Sequence, residues 1–165
     1  MTPRVLHAGC GRAPLPEWLP GQETRLDIDP DVSPDFVAPL TDMGEIGQYE
    51  IAYCSHALEH LAPHEINIAL KEFHRVLIPG GFLIVVVPNL AGVLPDNTVI
   101  YESPAGPITG LDMYYGKASM VEENPYMAHK YGFVRSTLED FLQRAGFTVK
   151  HVSDSNFNLM VSAQR

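Results

Sequence analysis

The stretch VLHAGCGRAPLPEWLPGQETRLDID, Val5 to Asp29, decides how the rest of the chain is read. It opens on a short apolar strand, breaks at Gly9-Cys10-Gly11, and closes on a second strand that ends in acidic residues. In a parallel α/β sheet such a glycine turn lets backbone approach a nucleotide-like ligand. A carboxylate at the tip of the next strand then meets ribose hydroxyls. A tight turn that binds nothing fits the same residues, so the order of elements downstream has to separate the two.

Outward from this stretch, Arg4 to Ala8 reads as the first strand and Thr24 to Ile28 as the second. Between them lie Pro14, Pro16 and Pro20. Proline inside a helix removes a hydrogen bond and clashes with the preceding turn, so at most a helical turn or two fits. Trp18 and Leu19 are expected to pack this segment onto the sheet. Phe36-Val37-Ala38 reads as a third strand and Tyr49 to Cys54 as a fourth. A helix then begins at Pro63, a residue suited to a first turn. Ile66, Leu70, Phe73, Val76 and Leu77 make one apolar stripe along it. Pro79-Gly80-Gly81 ends the helix, and the run FLIVVV, Phe82 to Val87, predicts a strand buried on both faces.

From Pro88 to Tyr131 periodicity fades and Pro, Gly, Asn and Tyr become frequent. So long a segment without clear elements is functional or partly disordered; residues 90–131 read as an insertion that covers the substrate. Ser136 and Glu139 have the spacing of a capping box. Leu138, Phe141, Leu142 and Ala145 form the buried stripe of that helix, and Gly146 closes it. Phe147 to Val152 and Phe157 to Ala163 read as an antiparallel hairpin turning at Asp154-Ser155-Asn156. The sum is one α/β domain, residues 1–165, with a mostly parallel sheet and an antiparallel C-terminal hairpin.

Bulk properties exclude several functions. The chain has 165 residues, 45% of them apolar, with a mean hydropathy near zero. No apolar run approaches the roughly 18–20 residues of a membrane span, and MTPRV lacks the layout of a signal peptide. Cys10 and Cys54 are isolated, without metal-ligand spacing, so a reducing cytoplasmic compartment is expected. The net charge is −9, from 20 acidic and 11 basic residues. There is no Lys/Arg cluster to neutralise phosphates, so no nucleic-acid partner is expected.

These words in these places resemble the class I S-adenosylmethionine-dependent methyltransferases, in particular the small type 11-like kind. VLHAGCG resembles the family's first motif and LDIDP, Leu26 to Pro30, its second. SHALEHL, Ser55 to Leu61, followed by RVLIPGGFLIVVVPN, Arg75 to Asn89, resembles the exit of the fourth strand and the helix-turn-strand beyond it. The resemblance implies a Rossmann-like, doubly wound, seven-stranded sheet, here lacking the N-terminal helical extension. It implies S-adenosylmethionine as cofactor, S-adenosylhomocysteine as product and a small-molecule methyl acceptor. It places the cofactor at His7, Gly9, Cys10, Gly11, Asp27, Ile28, Leu40, Asp42, Ser55 and His56, with Asp27 on the ribose.

The chain departs from the family pattern at several of these positions. His7 stands where an acidic residue helps to hold the cofactor's amino group, and Ala13 where a third glycine is common. Pro39 falls about where a carboxylate reads the adenine; Asp42, three residues on, either replaces it or is a surface or capping residue. Tyr49-Glu50 replaces the common Phe-Asp at the start of the fourth strand. A non-catalytic, degenerate binding protein of the same fold is therefore the alternative to an enzyme. A nicotinamide-dependent oxidoreductase is opposed by Pro14 and Pro16, which leave no helix directly after the loop. The sheet face that relatives cover with helices needs Trp18 and its neighbours or a second subunit, and a homodimer is expected.

Methyl transfer asks the protein to position an acceptor and, where needed, remove its proton. His56 and Glu59 sit at the exit of the fourth strand and are the candidates, with His129 the candidate from the insertion. Each also has a bland role: His56 as a strand cap, Glu59 with His60 as a loop anchor. No metal is expected, because Pro63 separates His60 from His64 and they need not share a helix face. Cys10 is expected to pack, since nothing basic beside it would activate the thiol. The polar-aromatic insertion, with Tyr101, Asp112, Tyr114, Tyr115, Tyr126, His129 and Tyr131, suits a medium-sized polar acceptor, methylated at oxygen or nitrogen, better than a lipid.

Overall fold

The computed structural model describes residues 2–165. In chain order it contains β1 (Arg4–Ala8), β2 (Gln22–Asp27), β3 (Phe36–Val37), β4 (Tyr49–Ser55), α1 (Pro63–Val76) and β5 (Leu77–Pro88). Then come β6 (Val99–Ser103), β7 (Gly106–Thr109), α2 (Gly110–Tyr115), α3 (Ala118–Glu123), α4 (Arg135–Arg144), β8 (Thr148–Ser155) and β9 (Asn158–Gln164). The main sheet has seven strands in the order β3-β2-β1-β4-β5-β9-β8. The first five are parallel, and β9 runs antiparallel between β5 and β8. The strand order reverses between β1 and β4, so their carboxyl ends open a crevice where α/β folds place ligands.

Alternation along the strands sends two sets of side chains to opposite faces. Leu6, Ala8, Ala52, Cys54, Leu83, Val85 and Val87 join the helical core with α1 and α4. Helix α1 docks through Ile66, Leu70, Phe73 and Val76, all fully buried, each side chain contributing about 1.5–3 kcal/mol by area removed from water. The other face carries Val5, Tyr53, Ile51, Ile84 and Val86 and is covered by Leu15 and Leu19. Trp18 packs edge-on to Tyr53 at 6.0 Å but is 55% exposed. The proline-rich segment is too short to roof the whole face. That corrects the expectation for FLIVVV: Leu83, Val85 and Val87 are fully buried, whereas Ile84 and Val86 are half-buried.

Two local expectations also change. Helix α4 begins one residue before Ser136, and Val134 is its cap. Thr137 Oγ1 accepts from the Val134 N–H at 3.1 Å and donates to its carbonyl at 2.9 Å. Glu139 instead pairs with Arg135 at 2.9 Å. The bridge between Asn89 and Phe133 fixes this register. The terminal hairpin turns at Asn156-Phe157, both with positive φ (50° and 60°), as a two-residue turn matched to strand twist requires. Asp154, read as turn chemistry, lies in β8 and accepts from Asn89 Nδ2 at 2.8 Å.

The insertion has structure of its own. β6 and β7 form a separate hairpin, and Val93, Ile108 and Met113 make a small second core. Thr109 caps α2 by a reciprocal pair with Asp112. Short elements with irregular spacing hide this order from a periodicity reading. Stacking of Tyr101 on Phe157 at 5.4 Å ties the insertion to the terminal hairpin.

Candidate functional site

The glycine turn after β1 is held from three sides. Gly9 and Cys10 both donate to the Leu26 carbonyl, at 2.8 and 3.2 Å. Gly11 donates to Asp27 Oδ2 at 2.7 Å, while Asp27 Oδ1 accepts from Asp29 at 2.9 Å. Asp27 thus fixes the loop and its own strand end, and each carboxylate oxygen keeps a further lone pair for a ligand hydroxyl. Gly9 and Gly11 take φ of 65° and 50°, left-handed values that favour glycine. A Cβ on Gly9 would come within 2.6 Å of Ala57, whereas one on Gly11 would meet open space. The loop therefore presses its first glycine against the exit of β4 and presents its second to the crevice.

Sequence reasoning missed the outer brace. Arg25 donates to the carbonyls of Gly11 (2.7 Å) and Ala13 (2.9 Å) and to Glu23 at 3.0 Å. Glu23 in turn lies 2.7 Å from His7 Nδ1. A carboxylate thus stands beside the position where His7 replaces the acidic residue of the family pattern. Burial outweighs the attraction of Glu23 and holds the His7 imidazole below its ordinary 6.5, so the neutral ring donates Nδ1–H to Glu23. The signal was available: Glu23, Arg25 and Asp27 alternate along β2, and parallel pairing sets His7 opposite Arg25.

The remaining candidates for the cofactor divide. Ile28, just past the end of β2, is 52% exposed. Leu40 is buried in the helical core and its side chain faces away from solvent. Asp42 is exposed and lines an open groove of about 450 Å³ with Pro39 and Met43, beyond β3. Cys10 is 2% exposed, and burial pushes its thiol up; Cys54 is fully buried, with the same effect.

At the exit of β4 the chain turns sharply. His56 sits at φ 51°, a left-handed conformation costing a non-glycine residue roughly 1–2 kcal/mol. It is held there by its N–H to the Val86 carbonyl at 2.8 Å. Ser55 ends β4, half-buried beside it. His56 Nδ1 lies 3.3 Å from Glu59 Oε1. Burial opposes its charge, but the hydrogen bond and attraction of Glu59, helped by Asn158, hold His56 above 6.5.

Glu59 belongs to a 3-10 turn, Leu58–His60, and is 2% exposed. Its carbonyl accepts from Lys130 (2.7 Å) and Tyr131 (3.2 Å), drawing the end of the insertion onto β4. His129 thereby reaches His60, ring centroids 5.1 Å apart. The three candidates read for chemistry, His56, Glu59 and His129, therefore gather at one corner, joined by His60. His64 is exposed on α1. Burial is the main reason that the His129 imidazole lies below its ordinary value. On the Trp18 side lies a hollow of about 410 Å³, lined by Trp18, Tyr53, Val86, Asn158 and Met160 among others, of which Val86 and Asn158 also contact His56.

A family model described as a methyltransferase domain matches residues 2–152. No curated protein matches the sequence. Solved structures match across nearly the whole chain at low identity. One is an S-adenosylmethionine-dependent methyltransferase from Mesorhizobium loti, with 18% identity over 99% of this chain and 91% of that one and a TM-score of 0.70. Another is the Burkholderia thailandensis 1,6-didemethyltoxoflavin-N1-methyltransferase with bound 1,6-didemethyltoxoflavin and S-adenosylhomocysteine (16%, 99% and 71%, TM-score 0.66). A third is the N-methyltransferase NodS from Bradyrhizobium japonicum in complex with S-adenosyl-L-homocysteine (12%, 99% and 78%, TM-score 0.63).

Proposed function

The chain belongs to the methyltransferase-domain family, and from that premise we propose that it transfers a methyl group from S-adenosylmethionine to a small polar acceptor, at oxygen or nitrogen. The observation that carries the reading is the Gly11–Asp27 hydrogen bond, which holds a glycine facing open space beside a carboxylate at the switch point of the sheet. Gly9 and Gly11 let the backbone pass the methionine part of the cofactor, Asp27 receives the ribose, and Ile28 packs on the adenine. Asp42 takes the place of the adenine reader displaced by Pro39.

Two named relatives methylate nitrogen or are described as N-methyltransferases, which favours a nitrogen acceptor within this reading. The hollow beside Trp18, Tyr53, Ser153 and Asn158 has the volume of a small-ligand site and a polar-aromatic lining. It receives the acceptor, and the insertion closes over it from the His129 side. The acceptor's lone pair attacks the methyl carbon, the carbon–sulfur bond breaks, and its electron pair returns to sulfur as S-adenosylhomocysteine. His56 takes the acceptor's proton; Glu59 stabilises the imidazolium that forms.

No helix among the described residues is long and apolar enough to cross a membrane, and the net charge of −9 disfavours nucleic acid; the reading places the enzyme in the cytoplasm. The half-covered sheet face is closed by a second copy, so light scattering should give a dimer mass, and a monomer at micromolar concentration counts against it. Calorimetry with S-adenosylmethionine and S-adenosylhomocysteine tests the main claim. Saturable heat is expected with both, and no heat at millimolar ligand sinks it.

A further inference from the structure

The corner formed by Glu59, His60 and His129 has a feature that methyl transfer does not explain. One potential ligand atom from each of these residues lies within 4.8 Å of the other two. His60 Nδ1 contacts the Ala128 carbonyl at 3.2 Å, and His129 Nδ1 contacts the Met113 carbonyl at 2.9 Å. A carbonyl can only accept, so both rings carry their proton on Nδ1, and each is left with a free lone pair on Nε2. This is how metal-binding histidines are oriented: the second nitrogen donates to a carbonyl and fixes both tautomer and ring plane. Glu59 supplies the independent observation. It is 2% exposed; its Oε1 faces His56 at 3.3 Å, and its Oε2 is buried with no hydrogen-bond partner among the described residues. Lys130, whose N–H reaches the Glu59 carbonyl, does not supply one, because its Nζ lies against Glu65 at 3.8 Å.

We propose that Glu59, His60 and His129 bind one divalent transition ion of the zinc class. Two imidazoles and a carboxylate are a donor set that zinc takes in sites that keep a further position open. Zinc holds such donors at about 2.0–2.2 Å, so the cluster closes by side-chain rotations on the order of an ångström. The backbone around it is already pinned, through the Glu59 carbonyl to Lys130 and Tyr131 and through the His129 N–H to the Tyr115 carbonyl at 3.1 Å. The open position faces an oxygen or nitrogen donor from outside the chain. That the donor is the methyl acceptor rests on the function proposed above; the ion site itself does not.

The test uses the full chain, freed of metal by a chelator and titrated with Co²⁺ and then Zn²⁺. One Co²⁺ per chain is expected, with the visible bands of a low-coordinate site, displaced by Zn²⁺. His60→Ala and His129→Ala should each weaken binding by about tenfold or more. Absence of saturable binding, or binding unchanged in both variants, overturns the site. A second measurement needs no variant. Zn²⁺ should shield His60 and His129 of the native chain from carbethoxylation while His64 and His151 still react, and equal modification of all four overturns the site. S-adenosylmethionine calorimetry on the same sample separates the two claims. Metal bound without cofactor heat keeps the ion site and removes the transfer reading; cofactor heat without metal does the reverse.

Discussion

The glycine loop and the histidine corner meet at Ala57, yet they are built in opposite ways. In the loop, Gly9, Cys10 and Gly11 follow β1 directly and Asp27 ends the adjacent β2, and the donors that face the turn find acceptors on β2. In the corner, Glu59 and His60 meet a histidine delivered by a distant segment, and one buried carboxylate oxygen has no partner among the described residues. The first region is held together by the chain alone. The second leaves an acceptor that the described residues do not fill, and on this difference rest the proposed cofactor platform and the proposed ion site.

The strongest way to break the contrast is Asp27→Ala. It removes the acceptor for two backbone N–H groups at once, each costing about 1–3 kcal/mol if left unsatisfied, together with the proposed ribose acceptor. Calorimetry should show S-adenosylmethionine affinity falling by at least about 100-fold, and unchanged affinity would discredit the pocket. Arg25→Ala comes next. It strips the Gly11 and Ala13 carbonyls of their donor without touching the crevice, so affinity should fall by about tenfold, with the unfolding midpoint in urea shifting by the equivalent of about 1–2 kcal/mol. A loss as large as that of Asp27→Ala would mean that the brace, not the carboxylate, makes the site.

How much of this was readable in one dimension follows from the same contrast. The strands of the main sheet, its mostly parallel character with an antiparallel C-terminal hairpin, α1 and the first glycine turn follow from patterns carried by neighbouring residues, and the structure keeps them. The brace of Glu23 and Arg25 needed the β1–β2 register as well as the composition of β2. The meeting of His60 with His129 was not legible at all. It depends on the fold of residues 90–131, whose short elements leave no period, and on two hydrogen bonds to a backbone carbonyl at Glu59. His60 and His64, near in sequence, are separated by Pro63 and need not share a face; the ring beside His60 is that of His129, from elsewhere in the chain.

The corner can be sharpened by Glu59→Gln, which keeps the shape and removes the charge. Glu59 is what holds His56 above 6.5 against burial, so in the variant the His56 midpoint should fall. With His56 as base, the rising limb of the pH–kcat profile should move to lower pH. If the limb stays in place while kcat drops, His56 is not the base and Glu59 acts on the acceptor or the ion.

The smallest expected effect concerns acid stability and sets the two regions against each other. His7 and His129 have folded values below 6.5, chiefly through burial. The unfolded chain therefore takes up their protons first, and the stability they contribute is present above 6.5 and lost as the pH falls toward the folded values. His56 works in the other sense: its raised value contributes stability below 6.5 that fades as the pH rises through its folded value. Each imidazole changes the slope by at most about 1.4 kcal/mol per pH unit. Urea unfolding at pH 7 and pH 5.5 should show the native chain losing stability on acidification. His7→Gln and His129→Gln should each flatten that loss. Should only His7→Gln flatten it, burial does not hold the His129 imidazole below its ordinary value, and the histidine corner is wetter than its geometry implies.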